Sequence, residues 1–315
     1  MTATCKYDNL RARIRGPVFP IVVPFDRNED VDYESLTGYV KFLVDNGAKN
    51  LLLTVGTSRY NLLTDMEMLK VNETVANAAC GNALVIAAGP GPVRGSIRQN
   101  IEFARHASSS GADGILLLYP ERWYGDEPVV DFFRKVAEST DIGIMIHAVP
   151  MRDGYGGVKA LKYLDADLIG KIVDEPNIIG IKEENGDRAV FEEVLDRFNK
   201  TLPIIGAGGA MRRFIGDKRL GSYTYLVGIG SFKPEITLEF YDSVMAGDID
   251  KAEKIAEKYE DPYFQFAVKL GWHRALKETL SQLDIMPPFE RAPFNRVSED
   301  HRETLNKVLA GCGWL

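Results

Sequence analysis

Lys182 ends the run Asn177-Ile178-Ile179-Gly180-Ile181-Lys182-Glu183. A short, mostly β-branched run bounded by polar residues reads as a fully buried parallel strand. A lysine at its carboxyl end points to the mouth of whatever the strand helps build. In a partly dry mouth the ammonium is destabilised and the amine pKa falls. A neutral amine can attack a ketone and form a Schiff base. A strand-ending lysine can equally snorkel to water, so its neighbours must decide. Gly56-Thr57-Ser58 offers two adjacent hydroxyls with backbone N–H groups beside them. Such a pair suits a carboxylate or keto-acid oxygen, or it is an ordinary turn. His147 ends another apolar run and Arg152 follows five residues later. The imidazole can relay protons near neutral pH or hydrogen-bond within a wall. The guanidinium can grip a carboxylate in a bidentate fork.

These groups need a scaffold that gathers strand ends. Short apolar runs at Val18–Phe25, Asn50–Val55, Leu84–Ala88, Gly114–Leu118, Ile142–His147, Ile178–Lys182, Pro203–Ile205 and Tyr223–Val227 predict strands. Helix-period segments follow them at Asp32–Asn46, Asp65–Cys80, Ser96–Gly111, Pro128–Ser139, Ala166–Asp174, Asp187–Phe198, Ala210–Arg219 and Pro234–Met245. Eight strand–helix units predict an α/β fold, a (β/α)₈ TIM barrel with its chemistry at the carboxyl ends of the strands. An open doubly wound sheet is the alternative, but no GxGxxG follows a strand. The barrel is expected over residues 1–246. A C-terminal helical extension, 247–315, is expected to carry helices at Asp250–Leu270, Trp272–Leu283 and Ser298–Leu309, broken by Pro287-Pro288 and Pro293.

The 315 residues are 45% hydrophobic and 26% charged, as in an ordinary globular protein. A net charge of −7 speaks against nucleic-acid and anionic-membrane binding. Three scattered cysteines without metal spacing suggest reduced thiols and a cytoplasmic setting. No HExxH pattern is present, so neither a metal site nor a cofactor is expected. The polar segment Met1–Arg15 lacks the apolar core of a signal peptide.

The chain resembles the dihydrodipicolinate synthase/N-acetylneuraminate lyase family of class I aldolase-type barrels. Gly16-Pro17-Val18-Phe19-Pro20-Ile21-Val22-Val23-Pro24-Phe25 is similar to the family's opening strand. Gly56-Thr57-Ser58, Val149-Pro150-Met151-Arg152-Asp153-Gly154 and Ile178-Ile179-Gly180-Ile181-Lys182-Glu183 resemble its later motifs in order. The resemblance implies that Lys182 forms a Schiff base with pyruvate or a longer 2-oxo acid. It implies that Thr57 and Ser58 hold the substrate carboxylate, that Arg152 binds an acidic partner substrate, and that the protein is a homotetramer, a dimer of dimers. Three departures stand out. His147 and Ala148 replace the usual tyrosine and asparagine, Arg59-Tyr60 replaces the end of G-T-T-G-E, and Pro120-Glu121-Arg122 replaces Pro-Tyr-Tyr. Loss of both relay tyrosines speaks against dihydrodipicolinate synthase activity itself and against neuraminate lyase. Two functions follow: a Schiff-base aldolase or dehydratase with His147 as acid/base, or a barrel that binds a 2-oxo acid as a sensor or regulatory subunit. A purely structural interaction protein would leave the reactive strand ends unexplained. Glu121, Arg122, Trp123 and the loop Gly89–Arg94 are expected to shape the far side of a pocket suited to a polar, hydroxylated chain.

Overall fold

Eight parallel strands carry the fold: β1 (Pro17–Pro20), β2 (Asn50–Leu52), β3 (Leu84–Ala88), β4 (Gly114–Leu118), β5 (Gly143–Ala148), β6 (Ile178–Glu183), β7 (Ile204–Gly206) and β8 (Tyr225–Leu226). The computed structural model describes residues 3–91, 95–120, 122–153, 161–206 and 208–315. The ladder runs β7-β6-β5-β4-β3-β2-β1-β8, every pair parallel. It is the expected TIM barrel, nearly closed. Among the described residues no ladder joins β7 to β8. There the backbones touch: a Cβ on Gly209 would lie 2.5 Å from the Leu226 oxygen, and one on Gly228 would lie 2.5 Å from the Gly209 oxygen. Only glycine permits that approach.

Three strands are shorter than their sequence runs, and β2 keeps Asn50–Leu52 of the run Asn50–Val55. β1 stops at Pro20 rather than Phe25, because neither Pro20 nor Pro24 has an N–H for a ladder. Ile21 still donates to the Leu52 oxygen at 3.0 Å. β8 keeps only two residues of the run Tyr223–Val227.

Side-chain alternation divides the core in two. Val18, Leu52, Ile86, Leu116, Met145 and Ile205 fill the barrel interior. Phe19, Leu51, Val85, Ile115, Ile144 and Ile204 face outward and pack under the surrounding helices. The first helix, α1 (Ala3–Arg13), lies in the polar segment that suggested no element. Tyr7 and Leu10, together with Ile14 just beyond it, join the interior cluster and plug the amino-terminal end of the barrel. Arg11 fastens α1 by donating to the Pro176 and Ile178 oxygens at 2.7 and 2.9 Å.

Seven helices surround the strands: α2 (Tyr33–Asp45), α3 (Asp65–Ala79), α4 (Ile97–Ser109), α5 (Asp126–Glu138), a short α6 (Ala166–Gly170), α7 (Arg188–Phe198) and α8 (Met211–Arg219), and α9 (Pro234–Ala246) completes the set. Local signals start several of them. Asp32, Thr64, Ser96 and Asp187 each accept a backbone N–H as N-caps, and Thr64 with Glu67 forms a capping box.

Beyond α9 the chain stays helical. α10 (Ile249–Ile255), a π-helical stretch Ala256–Glu260 and α11 (Asp261–Leu270) occupy the single helix expected at Asp250–Leu270. α12 (Trp272–Gln282) and α13 (Glu299–Gly311) follow. Tyr263, Ala267, Ala275 and Leu276 share the outer cluster with the barrel. The proline-rich link folds back over the barrel. There Arg291 meets Glu67 at 2.7 Å and Phe289 bridges to Phe25. No described helix is long and apolar enough to cross a membrane.

Candidate active site

A bulge in β6 aims Lys182. Ile144 of β5 pairs with Ile178, but Met145 pairs with Gly180, so Ile179 is the extra residue. A one-residue insertion exchanges the two faces of everything that follows. Beyond it, Lys182 stands in register with His147. Both point to the inner face that Met145 occupies one step earlier.

The residue two places on, just past the end of β6, shares that face. It is Glu184, and its N–H donates to the Ala148 oxygen at 2.7 Å, which ties the strand end to β5. Its Oε2 lies 2.5 Å from His147 Nε2 and forms an ion pair with Lys182 Nζ. Lys182 Nζ is 3.2 Å from His147 Nε2. Lys182 and His147 are buried, Glu184 partly so. His147 Nδ1 is enclosed without a hydrogen-bond partner among the described residues.

Burial lowers the Lys182 pKa from its ordinary value, while Glu184 and Glu183 oppose that shift. Burial and the neighbouring Lys182 likewise lower the His147 pKa, against Glu184. Burial alone would raise Glu184. Lys182 and His147 outweigh it and hold the carboxyl well below the usual range. The three groups form one titrating unit. Within it the lysine proton is less tightly held than on a free amine, and His147 and Glu184 are both in contact with it.

Sequence reading missed Glu184, although its i+2 spacing from Lys182 was a usable signal. Glu183 faces the other way. Its Oε1 accepts the Asn185 N–H at 2.9 Å, and it lines a separate cavity with Arg188 and Arg213.

The Thr57–Ser58 pair is divided by the fold. Ser58 Oγ donates to the Ile21 oxygen at 2.7 Å and accepts the Thr54 N–H at 2.9 Å. With no exposure it braces the β2 loop against β1. Thr57 lines a cavity of about 350 Å³ at the barrel mouth, together with Glu184 and His273. The N–H groups of Gly56 and Thr57 have no acceptor among the described residues. Gly56 lies against the His273 ring, where a Cβ would sit 2.8 Å from Cε1 and Nε2.

Arg59 follows in the left-handed region, at φ 59°. Its guanidinium reaches Glu290 at 2.9 Å and the His273 oxygen at 3.2 Å, clamping the β2 loop to the C-terminal segment. Burial, then Arg59, lowers the His273 pKa to about 4. The ring is therefore neutral at pH 7. His273 is the second residue of α12, and no local pattern in the sequence marks it.

Arg152 sits elsewhere. It is exposed, on a small sheet of Arg122–Trp123, Met151–Asp153 and Leu161–Lys162, and is not among the described residues lining the cavity. Arg122 and Trp123 belong to that sheet too. The far wall of the cavity comes instead from Phe264, Val268 and Trp272 of α11 and α12. Glu121 and residues 92–94 and 154–160 lie outside the described residues. Among those described, no cluster of three or more His, Cys, Asp or Glu could hold a metal.

A parallel barrel with a buried lysine at the end of its sixth strand, beside an acid and an imidazole, defines a TIM-barrel protein with an ionisable cluster at the carboxyl ends of its strands. Comparison with known proteins places it further. The chain belongs to the dihydrodipicolinate synthetase family, whose sequence profile matches residues 13–311. It is 26% identical over 309 residues to a 4-hydroxy-tetrahydrodipicolinate synthase of Natronomonas pharaonis, covering 93% of this chain and 96% of that one. It is equally 26% identical over 316 residues to an uncharacterised DapA-like lyase of Pyrobaculum islandicum, covering 96% and 100%. The crystal structure of dihydrodipicolinate synthase from Oceanobacillus iheyensis superposes with a TM-score of 0.81 at 20% identity, over 98% of this chain and all of that one. A pyruvate complex of a family member from E. coli K12 gives 0.81 at 19% identity, over 96% and 99%.

Proposed function

We propose that this protein is a class I lyase that forms a Schiff base between Lys182 and pyruvate or a longer 2-oxo acid. One observation carries the reading: a buried amine at the sixth strand end, held against Glu184 and His147. Lys182 passes its proton to that pair, and the free amine adds to C2 of the oxo acid. The carbinolamine loses water as His147 protonates the departing hydroxyl. The iminium then accepts the electron pair of the C3–C4 bond, or assists loss of a hydroxyl from the chain.

Thr57 Oγ1 and the N–H groups of Gly56 and Thr57 suit the substrate carboxylate. Ser58 keeps them in place rather than joining them. Imidazole and carboxylate thus take the proton-relay work for which a tyrosine is usual. Glu184, rather than Lys182, forms the cavity wall. Release of the Glu184 carboxylate when Lys182 loses its charge opens the amine to C2.

Borohydride reduction in the presence of pyruvate tests the reading. A stable mass increment that maps to Lys182 is expected, and an unmodified chain with pyruvate and every longer 2-oxo acid tried would exclude Schiff-base chemistry. The screening of Lys182 by Glu184 favours a second reading, a sensor that binds a 2-oxo acid without turnover. Product formation that disappears in Lys182→Ala rules that out.

A further inference from the structure

The cavity is polar at one end only. Thr57, Glu184 and His273 stand together beside Lys182. Away from them, Leu226 and Val227 of β8 face Phe264 and Trp272, whose ring centroids are 5.0 Å apart at 40°. Val268 extends this shelf outward at 63% exposure. Gly208 and Gly209, which line the cavity just after β7, bring no polar side chain to it. A polyhydroxylated chain would lose water there without gaining donors and acceptors in exchange, which is unfavourable for each buried hydroxyl. Charge points the same way. Glu184 is the one charged residue among those described as lining the cavity, and Arg59 is turned to Glu290. Among the described lining residues a second anionic group on the substrate would find no counter-charge, and His273 is neutral at pH 7. About 350 Å³ lies within the range of small-molecule sites and exceeds the needs of a three-carbon acid.

We propose that the substrate is a 4-hydroxy-2-oxo acid whose C4 substituent is apolar, an aryl or branched alkyl group lying on the Phe264–Trp272 shelf. This rests on the Schiff-base reading and adds the substrate class to it. In the reaction, the C3–C4 bond of the Lys182 iminium breaks and its electron pair forms the enamine. The C4 hydroxyl gives its proton to His147, and the apolar aldehyde leaves. The enamine takes a proton at C3, and water releases pyruvate and the free amine. With Thr57 engaged by the carboxylate, His273 is the uncharged polar group of the wall placed to hold the C4 hydroxyl.

The experiment has two arms on the intact protein. Borohydride trapping with pyruvate reads the Lys182 chemistry alone. Pyruvate release from 4-hydroxy-2-oxo-4-phenylbutanoate and from 2-oxo-3-deoxygluconate then reads the tail. The phenyl acid is expected to have the higher kcat/KM by about 10- to 100-fold, the discrimination an apolar pocket supplies. Val268→Asp, at an exposed position, is expected to reduce that ratio about 10-fold by placing a charge on the shelf. Trp272→Ala should reduce it further. With trapping intact, equal or faster cleavage of the deoxygluconate overturns the apolar tail, as does cleavage of neither acid. Absence of trapping overturns the underlying Schiff-base reading instead.

Discussion

Lys182 and Lys277 are buried to the same degree, each 2% exposed, and the pKa of each is lowered by burial. Their surroundings differ. Lys182 ends a strand, touches Glu184 and His147, and stands behind the wall of the mouth cavity. Lys277 lies inside α12, and its Nζ has no hydrogen-bond partner among the described residues. Burial brings its pKa to about 7, with Glu290 and Asp32 opposing and Arg59 assisting. It lines none of the described cavities. Desolvation thus lowers the pKa of both buried amines. A nucleophile also needs a groove for the electrophile and a neighbour that exchanges its proton.

The widest separation between the two lysines is covalent. Lys182→Ala is expected to abolish the borohydride-trapped pyruvate adduct, while Lys277→Met retains it at full stoichiometry. An adduct mapped to Lys277 would break the comparison. Next comes the proton relay. Exchange of the pyruvate methyl protons with deuterated solvent, followed by NMR, reports enamine formation without a known second substrate. His147→Ala should slow that exchange by about 10²–10⁴, the share of a general acid/base. Glu184→Gln should slow it by about 10² or more for the same reason. Unchanged exchange in His147→Ala would return the imidazole to a role in the barrel wall.

Smaller effects separate the two regions by stability. Arg59 and Glu290 are paired with only 3% and 5% side-chain exposure. Glu290→Gln leaves a buried guanidinium uncompensated beside Lys277 and is expected to cost about 3–5 kcal/mol in urea unfolding. A loss below about 1 kcal/mol, as for a surface pair, would show that water reaches the clamp.

The subtlest contrast is in pH. Lys277 has a folded pKa near 7 against an ordinary 10.5. Between those values the unfolded chain binds a proton that the folded chain has shed, so stability rises with pH across that window. The penalty is fully present below about pH 7. The gain in stability from pH 7 to 9.5 should therefore be smaller in Lys277→Met than in the wild type. Identical gains would assign the pH dependence to other groups, Lys182 among them.

Much of this architecture follows from local pattern. β-branched runs bounded by turns located the eight strands, because strands buried on both faces need continuous apolar residues. Caps at Asp32, Ser96 and Asp187 began helices where the sequence placed them. Lys182, His147 and Thr57 could be singled out as candidates because barrel chemistry collects at strand ends. Other features depend on long-range contacts. α1 looked like a polar terminus, since Tyr7, Leu10 and Ile14 have meaning only against the open end of a barrel. Ser58 and Thr57 are chemically alike in sequence, and only the Ile21 oxygen distinguishes the brace from the pocket residue. His273 reaches the mouth from α12, more than 200 positions beyond Gly56, as the 2.8 Å approach between them requires. Lys182 itself carries both lessons. By itself the sequence determined that an amine ends the sixth strand. Tertiary structure alone decided that it faces inward, because the extra residue Ile179 exchanges the two faces of β6 and sets Lys182, Glu184 and His147 together.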